Sequence, residues 1–358
     1  SVEALSVVAK HPEALLISVD MPSCFDNNSA VPIDSDNVLY ADYTVTFGYL
    51  KPCHVFEPTR SMCGEIRVVE LPIASPHSIV ALFLEPEDII QLFEPSDIID
   101  NKYSHGVLGV LAGSKLYTGA GLLTLRGCQN GGAGYIQYLG TEGTSSEANI
   151  VCVKSISELH EKTNTVVVGP GLGASEESKK LLETLLHSTH TLILDADAIS
   201  LLAENSNFVQ LLSTRRALSI LTPHHGEALR LADSLGIKSS QSVHVWISEL
   251  AKRLQSIIYY KGSHGFVALP DGTFLLCDPT STALATAGTG DVLAGLMGSL
   301  VARNSPLTPF DLATLALGAV IVHSIAAQLA LHEQANPSAM AIADQIGSAI
   351  RLLRNSYE

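Results

Sequence analysis

Positive charge is what this sequence is shortest of: 21 lysines and arginines face 36 aspartates and glutamates, for a formal net charge of −15. A field of that sign repels a phosphate backbone, so nucleic acid is not an expected partner and any anionic ligand must be held by local donors. Charged residues of both signs make up only 16% of the chain and aromatics 6%, while hydrophobic residues reach 46%. Disorder is excluded by that balance, because such a chain can bury a large core. The six cysteines, Cys24, Cys53, Cys63, Cys128, Cys152 and Cys277, form no CxxC pair and no zinc spacing. In a chain of this length they read as reduced residues of a cytoplasmic protein rather than a disulfide framework. No basic stretch followed by an apolar one opens the chain, so no secretory signal is expected. It starts SVEALSVVAKHPEALLISVD, without methionine and with the periodicity of a helix leading to a strand, as a cut chain would. One run, LATLALGAVIVHSIAAQLAL (312–331), approaches membrane-spanning length. It carries His323, Ser324 and Gln328 and lacks flanking anchors, so it reads as a buried helix and no membrane is expected.

Apolar runs of strand length are plentiful. LLISVD (15–20), YTVTFGYL (43–50), GVLGVLAG (106–113), TVVVGPGLG (165–173), TLILDADA (191–198), SILTPH (219–224) and SIIYYKG (256–262) alternate in the later chain with helical stretches such as SEESKKLLETLLHS. Near-continuous apolar strands separated by helices predict a parallel sheet covered on both faces. Ligands of such sheets sit beyond the carboxyl ends of the strands. There the sequence places AGS, GPGLG, DADA, TPHHGE and YKGSHG, a polar rim around one site. Residues 74–106 are loose, rich in proline and acidic turns, and place a boundary near residue 78. The piece ahead of it is too small for a comfortable domain and reads as a remnant.

Within the rim, ATAGTGDVLAGLMGSL sets Asp291 behind Gly288, Thr289 and Gly290 at the start of an apolar helix. Helix N-termini attract anions, glycines admit a phosphate to the backbone, and an ionised Asp291 could accept a proton. Alone, the same letters describe a capping aspartate. Lys261, Gly262, Ser263, His264 and Gly265 suit a nucleotide phosphate or ribose, although FVALPDGTFLLCD (266–278) reads as a hairpin turning at Asp271-Gly272 and KGSHG could be one more turn. GPGLG is a second glycine turn, and His224 and His225 could meet a heterocycle. Asp195, Asp197 and Glu227 are candidate magnesium ligands, with a structural cap to ISLLAE as the alternative for the two aspartates. Ser114, Tyr117, Gly119 and Ala120 fall at a strand-to-helix turn, where the small residues permit close approach of a flat ligand or tight packing of the helix on the sheet.

In this order, GVLAGSKLYTGA, VVVGPGLG, LILDADAISLLA, ILTPHHGEALRLA, YYKGSHGFVALPDG and ALATAGTGDVLAGLMGSLVA resemble the NAD(P)H-hydrate dehydratase family, over roughly residues 85–350. The resemblance implies an α/β, ribokinase-like fold for residues 79–358: three αβα layers about a mostly parallel central sheet. SVDMPSCFD and YTVTFGYLKPCHVFEPTRSMCGEIRVVELPI resemble the closing third of an NAD(P)H-hydrate epimerase domain, which implies a small α/β N-terminal remnant over residues 1–78. That domain's glycine-asparagine-rich motif and catalytic aspartate segment are absent and Cys24 replaces the usual glycine, so epimerase activity is not expected of this chain. In the second part His225 stands where proline is usual, Gly265 where threonine is usual, and STALATAGTGD replaces an NPGMATGGSGD-like approach.

By resemblance, residues Lys261 to Gly265 and Gly288 to Gly290 would hold ADP or ATP with Mg2+, and Ala120, Gly171, His224 and Asp291 would line a pocket for NADH hydrate or NADPH hydrate. Asp291 would be the catalytic base. The chemistry is sensible for a kinase-type site: hydroxide leaves the hydrated ring badly, whereas phosphorylation of its oxygen makes it leave readily. The products would be NADH or NADPH, phosphate and AMP or ADP, and the expected assembly is a homo-oligomer. Two other readings use the same residues. A kinase for a vitamin-like hydroxymethyl heterocycle would release a stable phosphorylated product, and a non-catalytic nucleotide-binding protein would bind without turnover.

Overall fold

A computed structural model describes residues 13–26, 30–33, 38–74, 81–93, 101–140, 149–239, 242–277 and 281–356. The chain divides into two compact units, Ser1–Ile79 with Lys238–Ile247, and Val80–Ile237 with Ser248–Glu358. The expected helix at the start of the chain and the expected boundary near residue 78 fall outside the described residues.

In the first unit β1 (Ile17–Val19), β4 (Tyr43–Phe47) and β5 (Glu65–Val69) make a parallel sheet of order β1-β4-β5, beside the short antiparallel pair β2 (Phe25–Asp26) and β3 (Val31–Pro32). Strand β4 turns its threonines inward: Thr44 and Thr46 are buried, and their hydroxyls donate to the carbonyl of Cys63 and to Asp20 Oδ1. The small core gathers Phe25, Val38, Cys53 and Cys63. Phe56 stacks on His244, with ring centroids 4.2 Å apart.

The second unit is built on a ten-stranded sheet of order β6-β15-β14-β13-β12-β11-β10-β7-β8-β9. Its strands are β6 (Ala81–Phe83), β7 (Val107–Leu111), β8 (Tyr135–Tyr138), β9 (Ile150–Cys152), β10 (Thr165–Val168), β11 (Thr191–Leu194), β12 (Ser219–Leu221), β13 (Ile257–Tyr260), β14 (Phe266–Ala268) and β15 (Phe274–Leu276). All neighbours pair in parallel except β14 with β13 and with β15, so β14 alone runs against the rest. Every residue of β7, β10 and β12 is buried, as the unbroken apolar runs predict for strands covered on both faces. Gly272 at φ +94° makes the β14–β15 turn where the Asp271-Gly272 pair placed it. Three strands, β6, β8 and β9, were not expected from the sequence; β6 forms inside the loose 74–106 stretch and pairs with β15.

One helix group, Thr118–Asn130, Thr289–Asn304 and Pro309–Glu333, packs on β7, β10 and β13 to β15. The helices Glu176–Leu186, Asp197–Glu204, Ser206–Thr214 and His225–Ser234 pack on one another as a separate group. Glycines allow the tight contact of the first group: a Cβ at Gly127 would lie 2.1 Å from the carbonyl oxygen of Val292, and one at Gly295 would lie 2.0 Å from that of Thr124. The Pro309–Glu333 helix is long and apolar enough to cross a membrane, yet its most apolar window is 78% buried, which makes it a core helix here. Strand order reverses at the centre of the sheet, where β10 neighbours both β7 and β11. That switch point is where open α/β sheets bind ligands.

Candidate functional site

Five strand ends are laced together by backbone hydrogen bonds at the carboxyl edge of the sheet. Gly169 donates to Leu111, Gly113 to Pro170, Asp195 to Val168, Thr222 to Leu194 and Lys261 to Pro223, all at 2.7–3.1 Å. The polar rim expected from the sequence is therefore one continuous structure. Gly171, at φ +62°, leaves no room for a side chain: a Cβ there would meet Ala120 Cβ at 2.7 Å and Tyr117 O at 3.0 Å. The GPGLG turn and the start of the Thr118–Asn130 helix thus touch, with Gly171 against Ala120.

The GTGD turn opens the Thr289–Asn304 helix. Gly288 is its N-cap at φ +90°, a left-handed conformation that suits glycine, and Asp291 is the third residue of the first turn. The Thr289 hydroxyl points back to the carbonyls of Leu284 and Thr286, at 2.8 and 2.9 Å, which ties the loop down. The amides of Gly290 and Asp291 have no partner among the described residues, as expected of a helix N-terminus. Such amides, with the positive end of the helix dipole, favour an anion.

Lys261, half-buried after β13, donates to Asp195 Oδ1 at 2.5 Å, and the Thr222 hydroxyl donates to the same oxygen at 2.7 Å. A Cβ on Gly290 would lie 3.3 Å from Lys261 Nζ, so the ammonium sits against the GTGD turn. Asp195 is 1% exposed, and its Oδ2 is buried without a hydrogen-bond partner among the described residues. Asp197 begins the Asp197–Glu204 helix, and its Oδ2 accepts the Gly173 amide at 2.8 Å. Between the two acids Ala196 is held at φ +47°, a strained conformation of the kind found at functional turns.

Half-buried Asp291 lies in the field of these groups. Its carboxyl is pushed up to about 7, first by burial and then by the charges of Asp195 and Asp197, against the opposing pull of Lys261. The sequence expectation of a fully ionised Asp291 is corrected accordingly: near neutral pH it is shared between both forms, as suits a group that takes and returns a proton. Lys261, Gly262, Ser263, Thr289 and Gly290 all line one cavity of about 500 Å³, closed further by Ser281, Thr282, Leu293 and His323. His264 and Gly265 are not among its lining residues; Gly265 instead packs against β13, where a Cβ would meet Tyr260 O at 2.9 Å.

The magnesium candidates do not converge. Glu227 accepts the His224 amide at Oε2 (2.9 Å) and faces His224 Nε2 at Oε1 (3.3 Å), and His224 Nδ1 in turn accepts the amides of Gly226 and Glu227. The HHGE motif is thus a capping box for the His225–Ser234 helix, and Glu227 is withdrawn from any ligand cage. Nor do the described residues contain any group of three histidine, cysteine or acidic side chains able to hold a metal ion. Asp195 Oδ2 remains as a hard oxygen donor of the kind Mg2+ accepts alongside nucleotide phosphates. His225 is tied to Tyr260, Nδ1 to Oη at 2.7 Å. Sequence reasoning missed Thr222, legible only as a polar residue at a strand end, and His323, which it treated as a polar interruption of an apolar helix.

Residues 108–350 match the family described as NAD(P)H-hydrate dehydratase. The bifunctional NAD(P)H-hydrate repair enzyme of Mycobacterium tuberculosis is 32% identical over 293 residues, which cover 81% of this chain and 59% of that enzyme. Its counterpart in Thermofilum pendens is 31% identical over 379 residues, covering 96% of this chain and 68% of the relative. The chain therefore spans about three fifths to two thirds of the curated relatives it matches. Among solved structures, the ADP/ATP-dependent NAD(P)H-hydrate dehydratase of Bacillus subtilis, co-crystallised with ATP and Mg2+, aligns with a TM-score of 0.61 at 25% identity, covering 76% of this chain and 98% of that one. A ribokinase-like superfamily protein of Enterococcus faecalis gives 0.67 at 20% identity, over 78% and 99%, so the fold of the second unit is ribokinase-like.

Proposed function

The chain belongs to the NAD(P)H-hydrate dehydratase family, and from that premise we propose that it is a hydro-lyase that returns the S-form of NADH hydrate and NADPH hydrate to NADH and NADPH, with ADP or ATP as phosphoryl donor. One observation carries this reading: the half-buried carboxyl of Asp291 stands in the first turn of a helix where the Gly290 and Asp291 amides have no partner among the described residues, with the Lys261 ammonium against Gly290.

In the proposed sequence Asp291 accepts the proton of the hydrate's hydroxyl as its oxygen attacks the terminal phosphorus. An O–P bond forms, and the bond to AMP or ADP breaks. The ring nitrogen's lone pair then expels phosphate, and an adjacent ring carbon gives up a proton to complete the double bond. Lys261 and the amides of Gly290 and Asp291 meet the charge that gathers on the transferred phosphoryl oxygens, and in a site of low dielectric such preorganised donors are worth far more than in water. Mg2+, when bound, would neutralise phosphate charge, and Asp195 would be its protein ligand through Oδ2. Gly171 and Ala120, in mutual contact, would form the flat side of the hydrate pocket, with the exposed ring of His224 at its edge.

The Ser1–Ile79 unit is assigned to the closing part of an epimerase-like domain, and no epimerase activity is ascribed to it. A cytoplasmic location and a homo-oligomeric assembly complete the proposal; sedimentation at micromolar concentration tests the second.

The decisive experiment follows absorbance in the reduced-nicotinamide band after mixing the protein with hydrated NADH, Mg2+ and either ADP or ATP. A nucleotide-dependent rise that Asp291→Asn loses supports the dehydratase and identifies the donor. A flat trace accompanied by a stable phosphorylated product would replace it with a small-molecule kinase.

A further inference from the structure

His323 stands on the Pro309–Glu333 helix, 3% exposed, and lines the cavity that holds Lys261, Gly262, Ser263, Thr289 and Gly290. Its Nε2 is buried with no hydrogen-bond partner among the described residues. Stranding a polar nitrogen in this way costs the fold stability that an apolar side chain of similar size would not cost. The neighbouring wall is apolar, formed by Tyr259, Leu293 and Val320. Burial, with the nearby Lys261 charge as the smaller cause, pushes the imidazole down to about 3. At physiological pH the ring is therefore neutral, with one N–H and one lone pair.

A neutral imidazole in an apolar wall is a poor partner for phosphate, which Lys261 and the helix amides already suit. It matches a flat, uncharged heterocycle whose edge carries both donors and acceptors, and a cavity of about 500 Å³ has room for such a group. We propose that His323 reads the nucleobase of the phosphoryl donor, its Nε2 hydrogen-bonding to the edge of a purine ring, and so sets the base preference of this chain. This rests on the nucleotide reading above and adds a residue and a specificity to it.

The test is titration calorimetry with ADP and with inorganic tripolyphosphate on the wild type, His323→Leu and His323→Gln. ADP affinity should fall on the order of tenfold or more in His323→Leu, recover in part in His323→Gln, and leave tripolyphosphate binding unchanged in both. Equal ADP affinity in the wild type and His323→Leu overturns the inference and leaves the nucleotide reading standing. If neither ADP nor ATP binds the wild type, the nucleotide reading itself falls, and the inference with it. Should both variants misfold, wild-type protein labelled with ¹⁵N at histidine decides. A ring-nitrogen resonance that does not titrate with pH should shift with ADP and stay still with tripolyphosphate, and a resonance unmoved by ADP overturns the inference.

Discussion

Lys261 Nζ lies 2.5 Å from Asp195 Oδ1, an oxygen that also accepts the Thr222 hydroxyl, so the cation beside Gly290 is fixed by a carboxylate at the end of a different strand. The pair spans β11 and β13 and holds charge in place before any ligand arrives. It also sets the field at Asp291, with one partner raising that pKa and the other lowering it.

Opposite effects on the acid limb follow. With Asp291 as base at about 7, log kcat/KM should fall with unit slope as pH drops below that value. Removing the positive neighbour in Lys261→Met should move the limb to higher pH, and removing the negative one in Asp195→Asn should move it lower. Initial rates across a pH series measure both; displacement in the same direction would sink the electrostatic account.

Asp291 should cost the protein stability that its substitution restores. Because its folded pKa lies above the unfolded value of 3.8, the folded state holds the proton more tightly, and the penalty is complete above about pH 7 and gone below about pH 4. Asp291→Asn should therefore melt higher than the wild type at pH 8, with the gap closing as pH falls. In the same variant kcat should drop on the order of 10²-fold or more. Thermal melts at pH 8 and pH 4 and one rate measurement suffice.

Two glycine-to-alanine changes should separate ligand from fold. At Gly290 the new methyl meets only the end of the Lys261 side chain, at 3.3 Å, and no backbone, so Gly290→Ala should fold normally and weaken nucleotide binding. At Gly171 it meets Ala120 and the Tyr117 backbone at a positive φ, and Gly171→Ala should lose roughly 1–3 kcal/mol. Denaturant unfolding and ADP titration of both variants check the contrast.

Thiol chemistry should be graded by burial. None of the six cysteines is in a disulfide. Burial pushes the Cys53 thiol up to about 12 and Cys63 up to about 11, and raises that of Cys128 as well. A thiol reagent should modify exposed Cys152 first, half-buried Cys24 and Cys277 more slowly, and the other three only in denaturant, with all six counted there. Any mass consistent with a disulfide in the native protein would contradict this.

Most of the frame was legible because it obeys local rules. The seven apolar runs became β1, β4, β7 and β10 to β13, and strand ends delivered Lys261, Asp195 and the GTGD turn to one edge. Strands β6 and β9, three residues each, fall outside the seven runs, and β6 lies among the proline and acidic turns of residues 74–106. The capping role of Glu227 had a signal in the sequence, since His224 and Glu227 stand in the N-cap to N3 relation of a capping box. The ionisation of Asp291 was out of reach, since it depends on Asp195, Asp197 and Lys261 meeting it through space. His323 carries the same letter whether it fills a core or faces a cavity, and only the packing of its helix tells which.

Residues 238–247 belong to the first compact unit, although they lie deep within the sequence of the second. His244, stacked on Phe56, is part of that interlacing. A gene beginning at residue 80 would keep His244 and delete the ring it stacks on. The Val243–Leu254 helix would then open on a histidine stripped of its stacking partner.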